Sequence, residues 1–170
     1  DGNSYQLPGS DIRLLGSTGS VAFGFAPQRI SGQLALADFN ISGDESWLAG
    51  LPYHLAAHTA VKLSLAGSPQ APTLVVDLTS PAVRITHPMF ATEAGRSLLL
   101  SDVRLKLDYG RQELAWELQA HAPADGKIAS SGQMAVIFTL QPWQLGFPDK
   151  QQGSGALSVK FSRLSDLQSL

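Results

Sequence analysis

The chain has 170 residues, of which 44% are hydrophobic and only 15% are charged, whereas about 25% charged residues is usual for globular domains. Its net charge of −2 and the lack of a basic cluster argue against nucleic acid or an anionic membrane surface as a partner. The absence of cysteine excludes disulfide bonds and thiolate metal sites.

Hydrophobic residues recur at every second position through most of the chain, which is the period of a β-strand. Polar residues fill many of the alternate positions, so each strand is expected to have an apolar face and a polar face, as in antiparallel sheets with one wetted side. In chain order the runs are Val21, Phe23 and Phe25; Leu34 and Leu36; Phe39 and Ile41; Val61, Leu63 and Leu65; Leu74, Val76 and Leu78; Val83 and Ile85; Val103, Leu105, Leu107 and Tyr109; Leu114, Trp116 and Leu118; Met134, Val136, Phe138 and Leu140; and Leu157, Val159 and Phe161.

Turn-forming clusters separate these runs, and the segment Tyr109–Gln112 is the clearest hairpin turn. The other breaks predicted are 16–19, 67–69, 80–81, 124–126 and 151–155. The alternation changes phase between Leu36 and Phe39, which predicts a β-bulge or a bend. Helical signal is confined to 44–50 and 165–170, too short to cover a sheet. The apolar faces are therefore expected to face each other in a sandwich, a barrel or a folded-over sheet.

Two parts of the chain match each other and predict an internal repeat. The segment 31–36 matches 154–159, with an offset of 123 residues between Gly32 and Gly155. The preceding segments, 18–25 and 131–138, match as well, and a proline follows each. We therefore expect a repeat over 32–154 and a next repeat beginning at 155. Residues 1–170 would then form a single β-rich segment of a longer array.

The segment 61–67 followed by 71–78 resembles the strand, glycine, proline, strand unit of TamB proteins and their AsmA-like relatives among the bridge-like lipid transfer proteins. The segment 134–170, with its motifs LQP, GSG and LSDL, is similar to the link between TamB repeats. The resemblance runs from about Val21 to the end and rests on alternation with glycine and proline punctuation. It implies an all-β fold in which a curled antiparallel sheet, a β-taco, forms an apolar trough.

The resemblance also implies a role and a location. TamB-like proteins are anchored in the inner membrane of diderm bacteria, span the periplasm and are implicated in moving phospholipid toward the outer membrane. They partner an outer-membrane barrel protein, TamA, in assembling surface proteins such as autotransporters. The chain is accordingly expected to be a periplasmic, non-enzymatic segment without cofactor or metal. Its expected partners are phospholipid acyl chains, TamA and client outer-membrane proteins.

Physical chemistry favours the same trough, because burying an acyl chain is worth about 0.8 kcal/mol per CH₂ group and needs only a continuous apolar lining. The candidate lipid-facing residues are Val21, Phe23, Phe25, Leu34, Leu36, Val61, Leu63, Leu65, Leu74, Val76, Leu78, Val103, Leu105, Leu107, Leu114, Trp116, Leu118, Met134, Val136, Phe138, Leu157, Val159 and Phe161.

Two other functions are consistent with the same pattern. Open strand edges would suit a scaffold or chaperone that pairs with strands of client proteins, and they would let the fragment self-associate. A closed sandwich, in which the apolar residues pack on each other, would suit an adhesin or a carbohydrate-binding module.

Metal chemistry is not predicted, although His54 and His58 stand four residues apart. On a helix such a pair could share a zinc ion, but Leu55 stands where the metalloprotease motif requires glutamate. Among the tryptophans, Trp116 is expected on the apolar face and Trp47 at one edge of the trough. The three tryptophans show no row that would suit sugar binding.

Overall fold

The computed structural model describes residues 5–14, 17–41, 54–86, 97–123, 125–140, 143–148 and 152–160, and this part of the chain contains strands and turns but no helix. Its strands are β1 (Tyr5–Leu14), β2 (Ser17–Ala26), β3 (Arg29–Ile41), β4 (His54–Gly67), β5 (Pro72–Thr86), β6 (Ser97–Gly110), β7 (Glu113–Ala122), β8 (Gly126–Ala135), β9 (Ile137–Leu140), β10 (Trp143–Gly146) and β11 (Gly153–Lys160).

Nine of these strands form one antiparallel sheet in the order β1-β2-β3-β4-β5-β6-β7-β8-β11. Strands β9 and β10 form a separate hairpin, inserted between β8 and β11. The sheet is not closed, because β1 and β11 lie at its two edges without pairing to each other. This architecture confirms the predicted all-β, curled antiparallel fold. It also places β6 and β7 inside the sheet. The alternation within 95–126 predicts strands there, but it does not say whether those strands pair within the sheet.

Short turns connect β2 to β3, β4 to β5 and β6 to β7. Arg111 and Gln112 join β6 to β7 with φ angles of 55° and 63°, so both occupy the left-handed region that two-residue hairpin turns of type I′ require. The predicted hairpin at Tyr109–Gln112 is confirmed, although Gly110 ends the strand and does not form the turn. Between β4 and β5 the turn begins at Gly67, whose φ of 102° suits glycine.

Irregularities in neighbouring strands lie side by side and bend the sheet. The register shifts between Leu36 and Phe39 in the β3–β4 pairing, between Ala57 and Ala60 in the β4–β5 pairing, and between Ser101 and Arg104 in the β6–β7 pairing. A bulge bends its strand and increases the local twist. We call this line across β3 to β6 the bend. The bulge predicted from the phase change after Leu36 is confirmed.

Hydroxyl groups satisfy backbone carbonyls at the bend. The Thr59 hydroxyl donates to the carbonyl oxygen of Phe39 at 3.0 Å. The Ser80 hydroxyl lies 2.7 Å from the carbonyl oxygen of His58 and 2.8 Å from that of Ala82, so its single proton serves these two acceptors. Thr59 and Ser80 are buried. A hydrogen bond of this kind contributes about 0.5–1.5 kcal/mol, so both hydroxyls stabilise the bend.

A cluster of buried apolar residues lies at and beyond the bend, in β6 and β7. Leu100, Val103, Ala120 and Ala122 are its buried members. Val83, Ile85, Leu98, Leu118 and Ile128 pack against them while remaining partly exposed. Other buried apolar residues, such as Ile30, Tyr109 and Val136, lie at the turn-side end of the strands. Among the described residues, buried apolar side chains therefore occur at both ends of the strands, with mostly half-buried ones between them.

Some of the predicted strand ends are wrong. The break at 80–81 lies inside β5, where Pro81 occurs within the bulge and its missing N–H does not weaken a regular ladder. The run from Met134 to Leu140 is two strands, because β8 ends at Ala135 and the Val136 N–H donates to the carbonyl oxygen of Gln112 instead.

Two predicted breaks extend too far into strands. Residues 17–19 and 153–155 already belong to β2 and β11, since their glycines pair within the sheet as extended backbone. The helical turns predicted at 44–50, which include Trp47, and at 165–170 lie outside the described residues.

Candidate functional site

Cross-strand register places most of the predicted lipid-facing residues in three rows that run across the strands on one side of the sheet, because directly opposed residues share a face. The turn-side row contains Phe23, Gly32, Leu65, Leu74, Tyr109, Leu114 and Met134; the middle row contains Val21, Leu34, Leu63, Val76, Leu107, Trp116, Gly132 and Gly155; and the bend-side row contains Gly19, Leu36, Val61, Leu78, Leu105, Leu118, Ser130 and Leu157. We call this surface the lining face.

The lining face is only partly covered by the described residues. Most of its side chains are half-buried, Leu36 and Tyr109 are buried, and Phe23 at one side and Leu157 at the other are 40% and 70% exposed. The alternate residues, such as Lys62, Lys106 and Glu117, are exposed on the opposite, polar face. The sheet therefore has a wide apolar surface that its own side chains do not bury completely.

Two side chains with hydroxyl groups lie in these rows, and both hydroxyls are paired. The Nε1–H of Trp116 donates to the Ser130 hydroxyl oxygen at 3.2 Å. The Tyr109 hydroxyl donates to the carbonyl oxygen of Phe138 at 3.1 Å and accepts from the Phe138 N–H at 3.0 Å. An apolar ligand on these rows would consequently not have to cover an unpaired side-chain hydroxyl.

Glycines make room for the Trp116 indole. A Cβ atom at Gly132 would lie 2.3 Å from the indole Cζ2 atom and 2.4 Å from the carbonyl oxygen of Ser154. A Cβ atom at Gly155, on β11, would lie 3.0 Å from the same Cζ2 atom. The indole thus lies over bare backbone of β8 and β11 and supplies the apolar surface that these two glycines lack.

The β9–β10 hairpin packs against the turn-side border of the lining face. Its backbone is tied to the sheet by the Val136 N–H bond to Gln112 at 2.9 Å and the Leu140 N–H bond to Pro69 at 2.8 Å. The Phe138 ring contacts Tyr109 edge-on, with 5.6 Å between ring centroids, and it also contacts Trp143 edge-on, with 5.7 Å between centroids. The hairpin therefore bounds the lining face next to the β6–β7 turn.

The remaining predicted site residues lie outside the three rows. Phe25 lies two residues along β2 from Phe23, on the turn side, and pairs with Ile30. Val159 of β11 pairs with Ile128 of β8. Val103 belongs to the buried cluster at the bend. Val136 and Phe138 lie at the hairpin, where Val136 is buried. Phe161 is outside the described residues.

Sequence reasoning omitted Leu98, Leu100 and Ile128 from the candidate residues, although all three belong to the packed apolar face beyond the bend. Leu98 and Leu100 lie in an unbroken run of three leucines, which has no alternation to read. Ile128 is the one large apolar residue in a polar stretch between 123 and 133. Its pairing with Ala120 indicates that Ile128 belongs to this face, but that pairing is known only once the strand register is known.

His54 and His58 lie too far apart in β4 to share a metal ion. His54 and His58 lie in β4, and four residues of strand separate them by roughly 13 Å. The described residues contain no cluster of three side chains suited to hold a metal ion. His58 lies 3.5 Å from Asp38 and His121 lies 3.5 Å from Asp102, each pair largely exposed on the polar face at the bend. Such exposed pairs contribute little to stability.

The fold and the lining face together define the protein as an open, curled antiparallel β-sheet with one apolar surface. Comparison with family models, curated proteins and solved structures finds no match for this chain. Within the described residues, no helix has the length and hydropathy to cross a membrane.

Proposed function

We propose that the chain is a periplasmic segment of a TamB-like protein, whose lining face carries phospholipid between the inner and outer membranes and so supports outer-membrane biogenesis. The observation that carries this proposal is the register. It aligns mainly apolar side chains into rows that run from β2 to β8, two of which reach β11, with the hydroxyls of Tyr109 and Ser130 already paired.

The dimensions of the rows suit an acyl chain. The eight strands from β2 to β11 are spaced about 4.8 Å apart, so a row extends over roughly 34 Å. One leaflet of acyl chains is about half of the bilayer's hydrocarbon core, or roughly 15 Å. An acyl chain would therefore lie within a row, and its CH₂ groups would each gain about 0.8 kcal/mol from leaving water. Binding spread over many weak contacts favours movement along the rows over tight capture at one point.

The exposure of the lining face favours a groove over a closed sandwich. A filled sandwich buries the inward side chains of both its layers, whereas Leu63, Val76 and Leu107 in the centre of this sheet are only half-buried among the described residues.

A second candidate function rests on the sheet edge. Every residue of β11 is exposed, including Leu157 and Val159, and its outer backbone groups have no strand partner among the described residues. An edge of this kind could pair with a strand of a client outer-membrane protein, in a scaffold that works with TamA. The same edge would allow self-association of the isolated fragment.

Site-specific photocrosslinking in living cells that produce the full-length protein tests the proposal. A crosslinking residue at Leu105, on the lining face, should capture phospholipid. Lys106 is the matched control because it is the next residue of β6 and points to the polar face. Absence of lipid at Leu105 in a stably folded protein would contradict the conduit. Capture of a protein at Ser158, on β11, would then favour the scaffold.

A further inference from the structure

The β9–β10 hairpin contributes no strand to the nine-stranded sheet, yet it lies against the lining face. Two strands of four residues are too short to be stable by themselves, so the position of the hairpin depends on its contacts with the sheet. Besides the bonds from Val136 and Leu140, the contact is concentrated at Tyr109, which is buried and bonds both backbone polar groups of Phe138.

The face of the hairpin that carries Phe138 is apolar, because Leu145 pairs with Phe138 and Trp143 pairs with Leu140. On this face and just beyond it, Trp143, Leu145 and the following Phe147 are 68%, 66% and 62% exposed. Trp143 contacts Phe138, and Phe138 contacts Tyr109, so rings connect this exposed surface to the turn-side row without a polar side chain between them. An acyl chain crossing the border here would stay in contact with apolar surface.

We propose that the hairpin is a gate on the turn-side border of the lining face, that Tyr109 is the positioning residue that latches it, and that phospholipid acyl chains enter the turn-side row when the latch opens. This inference rests on the proposed lipid conduit. Tyr109 suits the role because its hydroxyl bonds the hairpin and not a neighbouring strand. Removing that hydroxyl leaves the backbone pairing of Tyr109 with Leu74 and Leu114 unchanged.

The test compares lipid capture at two positions of β7 in the full-length protein. Leu114 lies opposite Tyr109 in the turn-side row, whereas Leu118 lies in the bend-side row away from the hairpin. Tyr109→Phe keeps the ring but leaves the N–H and carbonyl of Phe138 without their partner. We expect phospholipid crosslinking at Leu114 to rise relative to Leu118. Loss of 1–2 kcal/mol from the latch would shift the ratio of open to closed gate roughly 5- to 30-fold.

A reversible disulfide lock gives the opposite test, and because Pro69 is buried, the reduced double variant is the reference for any effect of the substitutions themselves. The Leu140 N–H lies 2.8 Å from the carbonyl oxygen of Pro69, which brings the two residues close enough for a designed disulfide. The sequence has no other cysteine to compete. Oxidised Pro69→Cys/Leu140→Cys protein should lose lipid capture at Leu114, and reduction should restore it.

The outcomes separate the gate from the conduit. Lipid at Leu118, with capture at Leu114 unchanged by both Tyr109→Phe and the lock, would overturn the gate and leave the conduit standing. No lipid at Leu118 or Leu114 in any variant would contradict the conduit itself. A rise at Leu114 with Tyr109→Phe and a reversible loss with the lock would support the gate.

Discussion

The bend and the lining face are made by the same strands and the same alternation of residues, but they bury their side chains to different depths. In β6, Val103 is buried at the bend, whereas Leu105 and Leu107 on the same side of the same strand are half-buried. Bulges account for the difference, because they turn parts of one sheet toward each other. Alternation thus determines which side of the sheet is apolar, and the bulges mark one place where that side becomes buried.

Two leucines in β6 give the largest expected difference in stability between the bend and the lining face. Leu100→Ala removes a buried side chain from the cluster at the bend and should lower the free energy of unfolding by about 2–5 kcal/mol. Leu107→Ala makes the same change on the half-buried lining face and should cost about 1 kcal/mol, as partial loss of apolar burial predicts. Urea unfolding measures both. Equal losses would mean that the lining face is packed like a core, and would favour a closed sandwich.

At the bend, the hydroxyl of the buried residue Ser80 bonds two backbone carbonyl oxygens. Ser80→Ala removes the donor to the carbonyl oxygens of His58 and Ala82. Because His58 and Ala82 are themselves exposed, we expect a loss of about 1 kcal/mol in unfolding free energy, as for a typical hydrogen bond. Ser64→Ala, an exposed position on the polar face of β4, is the control and should change stability by less than about 0.5 kcal/mol. A Ser80→Ala protein as stable as the control would show that the bend does not depend on this hydroxyl.

Much of the fold followed from the sequence because period-2 alternation survives in β2 to β7 and assigns each large residue to a face. The bulge after Leu36 was visible because large apolar residues flank it. The shift in β4–β5 was not, since Ala57 and Ala60 give no contrast in size or polarity. Pro81 was misleading for a physical reason: proline usually ends a regular strand, but within a bulge its missing N–H does little harm.

The candidate site could be predicted from the sequence where the alternation of apolar and polar residues is regular. Most lining residues could be named from their spacing, but the gate could not. Phe138 continues the period of Met134 and Val136, so it reads as another lining position. Its actual place depends on the chain leaving the sheet at Val136 and on the Tyr109 hydroxyl, a contact across 29 residues that no local pattern encodes.

A substitution at Gly132 tests whether the lining face near β11 is less rigid than the bend. A methyl group there would meet the Trp116 indole and the Ser154 carbonyl, and overpacking of a filled core costs about 1–3 kcal/mol. Because the Ser154 oxygen belongs to the backbone and would lie 2.4 Å from the added Cβ atom, β11 must shift to admit the methyl group. Since β11 is an edge strand paired on one side only among the described residues, we expect Gly132→Ala to cost about 1–3 kcal/mol, less than Leu100→Ala. Gly132→Ala should also shift the Nε1–H resonance of Trp116 as its bond to Ser130 breaks. Gly146→Ala is the matched control, because a Cβ atom at Gly146 meets nothing within 4 Å. A loss for Gly132→Ala as large as that of Leu100→Ala would mean that the lining face near β11 is as rigid as the bend, and a rigid surface would be a poor path for a sliding acyl chain.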